Sequence, residues 1–207
     1  MMLRYSCRKM SHLKSNEMVR ENVTLSRAEE LFLHALQGSM LNEKFELCVD
    51  HPGLLHEILH VASIQNVLPM ICEAVYTSES VKAYDKIFKA FKNQAITEVA
   101  SQTIRTAHFL ELLHFLSEKD LYPLVVKGLS VRILYPRENL RISVDEDLFI
   151  PHEEIQDYHK AMTEYGLECV EKDTDLSVAS EMAYCSKETG LYIEVHKSLL
   201  SPDSAAY

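Results

Sequence analysis

Long apolar runs are missing from this chain of 207 residues, although 47% of its residues are hydrophobic. A helix that spans a membrane needs about 18 consecutive apolar residues, and no stretch of the sequence approaches that length. The basic residues near the start are not followed by the apolar region of a secretory signal. We therefore expect neither a membrane span nor a signal peptide.

Cysteine spacing typical of metal sites or disulfide frameworks is also missing. The five cysteines are scattered along the chain, and no two of them form a CxxC pair. An odd number of cysteines without such spacing is typical of reduced thiols in a cytoplasm, so we expect a cytoplasmic protein.

Basic residues are scarce outside the N-terminus. The net charge is −10, and residues 1–20 alone have a balance of +4, which leaves −14 on the rest of the chain. A body this acidic repels a phosphate backbone, so we expect no broad binding to duplex nucleic acid. Residues 1–20 are predicted to be a flexible basic N-terminus.

Helical spacing dominates residues 21–120, which we interpret as a helical region. Ser26 and Glu29 have the spacing of a capping box, and residues 50–53 have the composition of a helix start. Apolar positions then recur at helical spacing from about residue 80 to 117. Few globular helices are that long, so we expect an interruption inside this stretch.

The pattern changes after Pro123. The apolar run at 124–126 predicts a buried strand that enters a turn, and a short helix is predicted over 129–135. The remaining predicted elements are a strand over 144–150, a helix over 153–165 that ends at Gly166, and strands near 167–170, 183–186 and 191–195. Together they predict an α+β fold, in which residues 121–207 form a small mixed-sheet domain behind the helical region.

Three carboxylates occupy strand-like positions in this second region. Alternate side chains of a strand share a face, so Asp145 and Asp147 lie on one face, about 7 Å apart along the backbone. They repel each other unless a cation lies between them, and Mg²⁺ prefers such oxygen ligands. Glu194 completes a two-metal site if its own strand pairs beside the first. His196, on the face of Glu194, is either a further ligand or an ordinary histidine at a strand end.

Lys127 and Gly128 end the first predicted strand. Glycine lets backbone N–H groups approach a phosphate closely, and Lys127 adds a point charge for the β or γ phosphate. The Ser130 hydroxyl is a further candidate contact. Arg141 either holds the triphosphate or neutralises the carboxylates of the ion-free site.

These residues carry a family resemblance. In chain order they are Val126, Lys127 and Gly128; Tyr135 and Pro136; Arg141; Asp145, Glu146, Asp147 and Leu148; and Ile193, Glu194, Val195 and His196. The pattern resembles an uncharacterised bacterial nucleotidyltransferase family of the DNA polymerase β-like superfamily, over about residues 123–200. Residues 21–120 resemble that family only in their generally helical pattern.

The resemblance implies a polymerase β-like nucleotidyltransferase that moves a nucleoside monophosphate from a nucleoside triphosphate to an unknown small-molecule or protein hydroxyl. It implies that Asp145, Asp147 and Glu194 bind Mg²⁺ (or Mn²⁺) and act in catalysis. It also implies that Lys127 and Gly128 form the phosphate turn. An alternative is a catalytically weak relative that binds nucleotide or a partner protein, in the manner of a toxin–antitoxin pair. Relief of repulsion predicts that Asp147→Asn preserves or raises the melting temperature while it abolishes magnesium-dependent nucleotide binding.

The chain departs from the family pattern at three points. Leu129 follows Gly128 where the superfamily usually has serine. Glu146 stands where an apolar residue would face the core, and burial would be costly unless it pairs with Arg132, Arg137 or Arg141. Relatives continue with further helices beyond the third carboxylate, so we expect part of the acceptor site to be missing.

A competing motif lies in the helical region. His56, Glu57 and His60 spell HExxH on a predicted helix, the pattern by which zinc peptidases hold their ion and a general base. The extended motif fails, since Ser63 and Asn66 replace its glycine and third histidine. A zinc hydrolase is therefore the remote alternative, and a solvated helix edge explains both histidines.

Overall fold

The computed structural model describes residues 24–170, 179 and 181–198. The predicted flexible segment 1–20 lies outside these residues. The helices of the described chain are α1 (Arg27–Met40), α2 (Pro52–Ile64), α3 (Leu68–Val75), α4 (Glu79–Ala83), α5 (Asp85–Ser117), α6 (Leu129–Arg132) and α7 (Ile155–Tyr165). The strands are β1 (Leu124–Val125), β2 (Glu146–Phe149), β3 (Glu168–Cys169), β4 (Glu181–Cys185) and β5 (Tyr192–His196). The α+β prediction is confirmed.

Local hydrogen bonds fix the helix ends that the sequence indicates. The Ser26 hydroxyl accepts from the Glu29 N–H at 3.2 Å, and the Glu29 carboxylate accepts from the Ser26 N–H at 2.7 Å, which completes the capping box of α1. Pro52 starts α2, where its missing N–H has no consequence. Gly166 ends α7 with a φ of 100°, which glycine adopts without a steric penalty.

Helix α5 is the longest element of the described chain. The expected interruption of residues 80–117 falls near their start, at Tyr84, and α5 then continues for 33 residues. Packing explains this length: Phe88 and Ala95 of its first half lie in one buried cluster with α1, α2 and α3. Phe109 and Leu112 of its second half lie in another cluster, with α7 and the sheet. None of the described helices is long and apolar enough to cross a membrane.

The sheet has the strand order β1-β2-β5-β4-β3. Strand β2 pairs with β5 in parallel, and the other neighbours are antiparallel. Leu148, Ile193 and Val195 are fully buried and belong to the cluster with α5 and α7. Since side chains alternate along a strand, Asp147 and Glu194 lie on the other face.

Two predicted elements differ from the structure. The strand predicted as buried at 124–126 is the two-residue β1 at the sheet edge, and Leu124 is 60% exposed. One neighbour, β2, covers only one side of it. The helix predicted over 129–135 is the four-residue α6, and the chain then continues in tighter turns, in which the Leu134 N–H donates to the Val131 carbonyl and the Tyr135 N–H to the Arg132 carbonyl.

A polar seam joins α5 to the segment that enters β2. The Gln102 side chain is buried, and its carbonyl accepts from the Ser143 N–H at 2.9 Å and from Arg105 at 3.2 Å. Arg105 also donates to the Ser143 carbonyl at 3.2 Å. These bonds hold the chain two residues before Asp145, so α5 positions the start of the acidic strand.

Replacement of this amide tests the seam. Gln102→Leu keeps most of the side-chain volume but leaves the Ser143 N–H without its acceptor, so we expect a loss of about 1–3 kcal/mol in the free energy of unfolding, measured by urea denaturation. The matched control Gln37→Leu, at an exposed position of α1, should change it by less than about 0.5 kcal/mol. Equal losses in the two variants would contradict the seam.

Candidate metal and nucleotide site

The parallel pairing of β2 and β5 places two of the predicted carboxylates side by side. Asp147 and Glu194 are direct partners in the register. One ligand atom each of Asp147, Glu194 and His196 lies within 4.8 Å of the other two, a group that could hold a metal ion. Strand pairing therefore brings together residues that are 47 positions apart in the sequence.

Asp145 precedes β2 and lies close to this group without belonging to it. Burial raises the pKa of Glu194, and the negative charges of Asp145 and Asp147 raise it further, while His196 opposes the shift. The structure thus pairs Asp147 with Glu194 in one acidic edge, and Asp145 lies at the margin of this edge, just before β2.

Two basic side chains meet one oxygen of Asp147. Lys127 Nζ lies 2.8 Å and His196 Nε2 lies 2.9 Å from Asp147 Oδ1. Asp147 is 1% exposed, whereas Lys127 is 64% exposed and reaches the carboxylate from the solvent side. The hydrogen bond to Asp147 raises the pKa of Lys127, and the charges of all three carboxylates act in the same direction. Of the carboxylates at this edge, Asp147 is therefore the one whose negative charge is best compensated by neighbouring basic side chains.

Glu146 points away from this edge into the layer beneath the sheet. Its buried carboxylate pairs with the buried Arg132. Of the three arginines that the sequence offered as partners, Arg132 is therefore the one that pairs with Glu146. It also accepts from the Leu129 N–H at 2.7 Å. Arg132 in turn donates to Thr106 of α5 at 2.6 Å, so the pair links the turn, the strand and the long helix.

The Lys127–Gly128 turn has a conformation that only glycine adopts easily. Gly128 has a φ of 56° and a ψ of −111°, and a Cβ atom there would overlap the Glu146 carboxylate. Glu146 thereby occupies the inner side of the turn, and its carboxylate accepts from the Leu129 N–H. Lys127, which precedes this glycine, is the exposed cation of the turn.

The other two predicted nucleotide contacts lie apart from the carboxylates. The Ser130 hydroxyl donates to the Lys127 carbonyl at 3.1 Å and so stabilises the turn. The Arg141 guanidinium lies over the Tyr135 ring, 5.6 Å from its centroid. Within the described residues Arg141 forms no ion pair with a carboxylate, and its Nη1 atom is buried without a partner. Arg141 therefore does not neutralise the carboxylates in the structure, and Lys127 forms the ion pair with Asp147 instead.

Sequence reasoning gave His196 two interpretations and missed Glu181. Glu181 of β4 pairs with His196 of β5 in the sheet register, and Glu181 Oε2 lies 3.4 Å from His196 Nδ1. Glu181 lies just before the strand predicted over 183–186, and no local signal pointed to it, because its contact with His196 depends on the register of β4 with β5.

The HExxH histidines do not form a site of this kind. His56 and His60 are exposed on α2, with ring centroids 6.0 Å apart, and His56 packs edge-on against Phe91. Among the residues that the structure describes, the group of Asp147, Glu194 and His196 is the one with three potential metal ligands in reach. The zinc hypothesis lacks a third ligand there.

Carboxylates on neighbouring parallel strands, beside a lysine–glycine turn, belong to the class of sites suited to a divalent cation and a phosphate. The sequence profile described as "Uncharacterised nucleotidyltransferase" matches residues 54–207, about three quarters of the chain. The chain therefore belongs to this uncharacterised nucleotidyltransferase family, which confirms the resemblance. The match includes α2 to α5, so the helices from residue 54 onward are part of the family pattern. No curated protein and no solved structure matches the chain significantly.

Stability measurements can separate the two central carboxylates. Glu194→Gln removes a charge that its neighbours repel, so we expect the metal-free melting temperature to rise by about 1–3 °C. Asp147→Asn removes the acceptor charge of Lys127 and His196, so we expect a decrease of similar size rather than the gain predicted from repulsion alone. Calorimetry in the presence of a chelator measures both. A larger gain for Asp147→Asn than for Glu194→Gln would contradict this balance of charges.

Single and double substitutions test the buried pair. Glu146→Leu leaves Arg132 charged and unpaired in the interior, and Arg132→Met leaves Glu146 charged and unpaired. Each single substitution should lower the free energy of unfolding by about 3 kcal/mol. The double variant buries no unpaired charge, so its loss should be smaller than either single loss. If the two losses simply add, Glu146 and Arg132 do not act as a pair.

Proposed function

We propose that the protein is a metal-dependent nucleotidyltransferase, which transfers a nucleoside monophosphate from a nucleoside triphosphate to a hydroxyl acceptor. The observation that carries the proposal is the direct pairing of Asp147 with Glu194 on parallel strands, in a chain of this family. Lys127 adds a solvent-facing positive charge at the same edge. The proposal assigns Asp147 and Glu194 as metal ligands and Asp145 as a further ligand at the margin.

The donor set fits a divalent cation. Carboxylate oxygens are the ligands that Mg²⁺ and Mn²⁺ take in proteins, and substrate phosphates usually complete their coordination. Burial, and then repulsion from Asp145 and Asp147, raise the pKa of Glu194 and so disfavour its charged form without added positive charge. A bound divalent ion would supply that charge, polarise the phosphate and activate the acceptor hydroxyl.

The acceptor hydroxyl oxygen attacks the α-phosphorus in line with the leaving group. A bond forms between that oxygen and the α-phosphorus, the bond from the α-phosphorus to the bridging oxygen breaks, pyrophosphate leaves with the bonding electrons, and the hydroxyl proton passes to solvent water. Such chemistry depends mainly on positioning and on electrostatic stabilisation of the phosphate oxygens. In this chain we assign Asp145, Asp147 and Glu194 to hold the divalent cation that positions the reacting phosphate.

Lys127 changes partner in the proposed complex. Its ammonium donates to Asp147 in the structure, and its long exposed side chain can turn to a β or γ phosphate oxygen when Asp147 is otherwise compensated. Gly128 keeps the turn narrow, and Ser130 closes it through the Lys127 carbonyl. Arg141, with a buried Nη1 atom that lacks a partner, is the second cation we assign to the triphosphate.

A catalytically weak nucleotide-binding relative is the second candidate. The Leu129 N–H already donates to Glu146, so one backbone donor of the turn is unavailable to a phosphate. Such a protein would transfer no label and would bind either nucleotide with a divalent ion or a partner protein, as in a toxin–antitoxin pair.

Transfer of a radioactive label distinguishes these candidates, and the position of the label shows which phosphate is transferred. Each nucleoside triphosphate, labelled at the α or the γ phosphate, is incubated with the protein, a divalent ion and a cytosolic extract that supplies acceptors. We expect transfer of the α label only, reduced at least about 100-fold in Asp147→Asn and Glu194→Gln because each removes a metal-ligand charge. The matched control Asp157→Asn, exposed on α7, should transfer normally.

Titration calorimetry with a nonhydrolysable triphosphate gives the second readout. Binding that requires the divalent ion, without label transfer, would favour the weak relative. Transfer of the γ label, or nucleotide binding unaffected by Asp147→Asn, would contradict the proposed nucleotidyltransferase.

A further inference from the structure

The imidazole of His196 faces the proposed metal ligands with one nitrogen and a carboxylate with the other. Its Nε2 atom lies 2.9 Å from Asp147 Oδ1 and 3.7 Å from Glu194 Oε2, and its Nδ1 atom lies 3.4 Å from Glu181 Oε2. We propose that His196 is a metal ligand through Nε2, and that the ion at this site is a first-row transition-metal dication, such as Mn²⁺, rather than Mg²⁺. This inference rests on the proposed function and specifies its cofactor.

The distances agree with a shared coordination shell. In an octahedral shell with metal–ligand distances of about 2.1 Å, neighbouring ligand atoms are about 3.0 Å apart and opposite ones about 4.2 Å apart. The two distances from His196 Nε2 lie close to or within that range. His196 is 13% exposed, so its ring is held by the surrounding structure and does not extend into solvent.

Glu181 orients this ring. In metal sites the histidine nitrogen that does not bind the ion usually meets a carboxylate or carbonyl, which fixes the orientation of the ring. Glu181 lies opposite His196 in the antiparallel pair of β4 and β5, so the sheet register itself places the carboxylate at Nδ1. Glu181 is thus a positioning residue that acts through His196.

Ligand chemistry then selects the ion. Mg²⁺ takes oxygen ligands almost exclusively, and imidazole nitrogen suits transition metals. A site with two carboxylates and one imidazole gives a transition-metal dication an additional favourable ligand, which Mg²⁺ uses poorly. Mn²⁺ accepts both ligand types and keeps the octahedral geometry that a triphosphate requires, so we use it as the probe.

Electron spin echo envelope modulation of Mn²⁺ detects a coordinated nitrogen directly. Spectra are recorded with Mn²⁺ alone and with Mn²⁺ plus a nonhydrolysable triphosphate, on protein grown with ordinary and with ¹⁵N-labelled histidine. We expect ¹⁴N modulation that disappears on histidine labelling, which excludes a nucleotide nitrogen, and that is absent in His196→Gln. The matched control His152→Gln, at an exposed position, should retain it.

Titration calorimetry supplies the selectivity. The wild-type protein should bind Mn²⁺ at least about tenfold more tightly than Mg²⁺, and His196→Gln should weaken Mn²⁺ binding about tenfold or more with little effect on Mg²⁺. Glu181→Gln, which leaves every proposed ligand in place, should weaken Mn²⁺ binding by a smaller factor, and the exposed Glu153→Gln should not. Circular dichroism checks that each variant is folded.

The outcomes separate this inference from the proposed function. Bound Mn²⁺ without histidine modulation, modulation that persists in His196→Gln, or no Mn²⁺ binding with or without triphosphate would each overturn the inference. If Mg²⁺-dependent label transfer occurs nevertheless, the nucleotidyltransferase proposal stands. If histidine-coordinated Mn²⁺ is found but no nucleotide binds, the proposed function fails and the metal assignment stands.

Discussion

Repulsion among Asp145, Asp147 and Glu194 is the constraint on which the rest of this site depends. Two unit charges 4 Å apart interact by about 1 kcal/mol in water and by about 4 kcal/mol near a protein surface. The fold places these carboxylates where strands β2 and β5 run side by side, and nearby groups compensate their charges unequally. Asp147 accepts from Lys127 and contacts His196. Glu194 has less compensation, and its pKa is raised. An acidic edge with such incompletely compensated negative charge favours the binding of a small, highly charged cation.

A second charge pair, on the opposite face of the same strand, holds the edge in place. Glu146 and Arg132 are buried together, and Glu146 binds the turn that carries Lys127 while Arg132 binds α5. The four-residue strand β2 therefore carries Asp147 of the acidic edge on one face and is anchored in the protein on the other face through the buried ion pair of Glu146 with Arg132. Since alternation along a strand separates the two sets of side chains, the anchoring charges and the proposed metal ligands do not compete.

Much of the fold follows from local signals, and the differences arise where packing decides. The capping box at Ser26, the glycine at 166 and the change of pattern after Pro123 were sufficient to predict the α+β order. The unbroken length of α5 was not predictable, because it depends on two separate apolar clusters that the helix joins. The edge position of β1 likewise depends on strand order, which hydrophobicity alone does not encode.

The site was predictable to the extent that its residues repeat a family motif. Asp147 and Glu194 were expected to meet and do so in direct register, whereas the arginine that pairs with Glu146 remained one of three until the structure placed it. The contacts of His196 with Asp147 and Glu181 depend on long-range register, for which a single sequence carries no local signal.

The most direct measurement is a crystal structure with Mn²⁺ and a nonhydrolysable nucleoside triphosphate, with anomalous diffraction used to locate the ion. The account predicts an anomalous peak in contact with both Asp147 and Glu194, with the triphosphate on the side of Lys127. A Glu194 side chain directed away from Asp147, or an ion bound elsewhere in the protein, would contradict it.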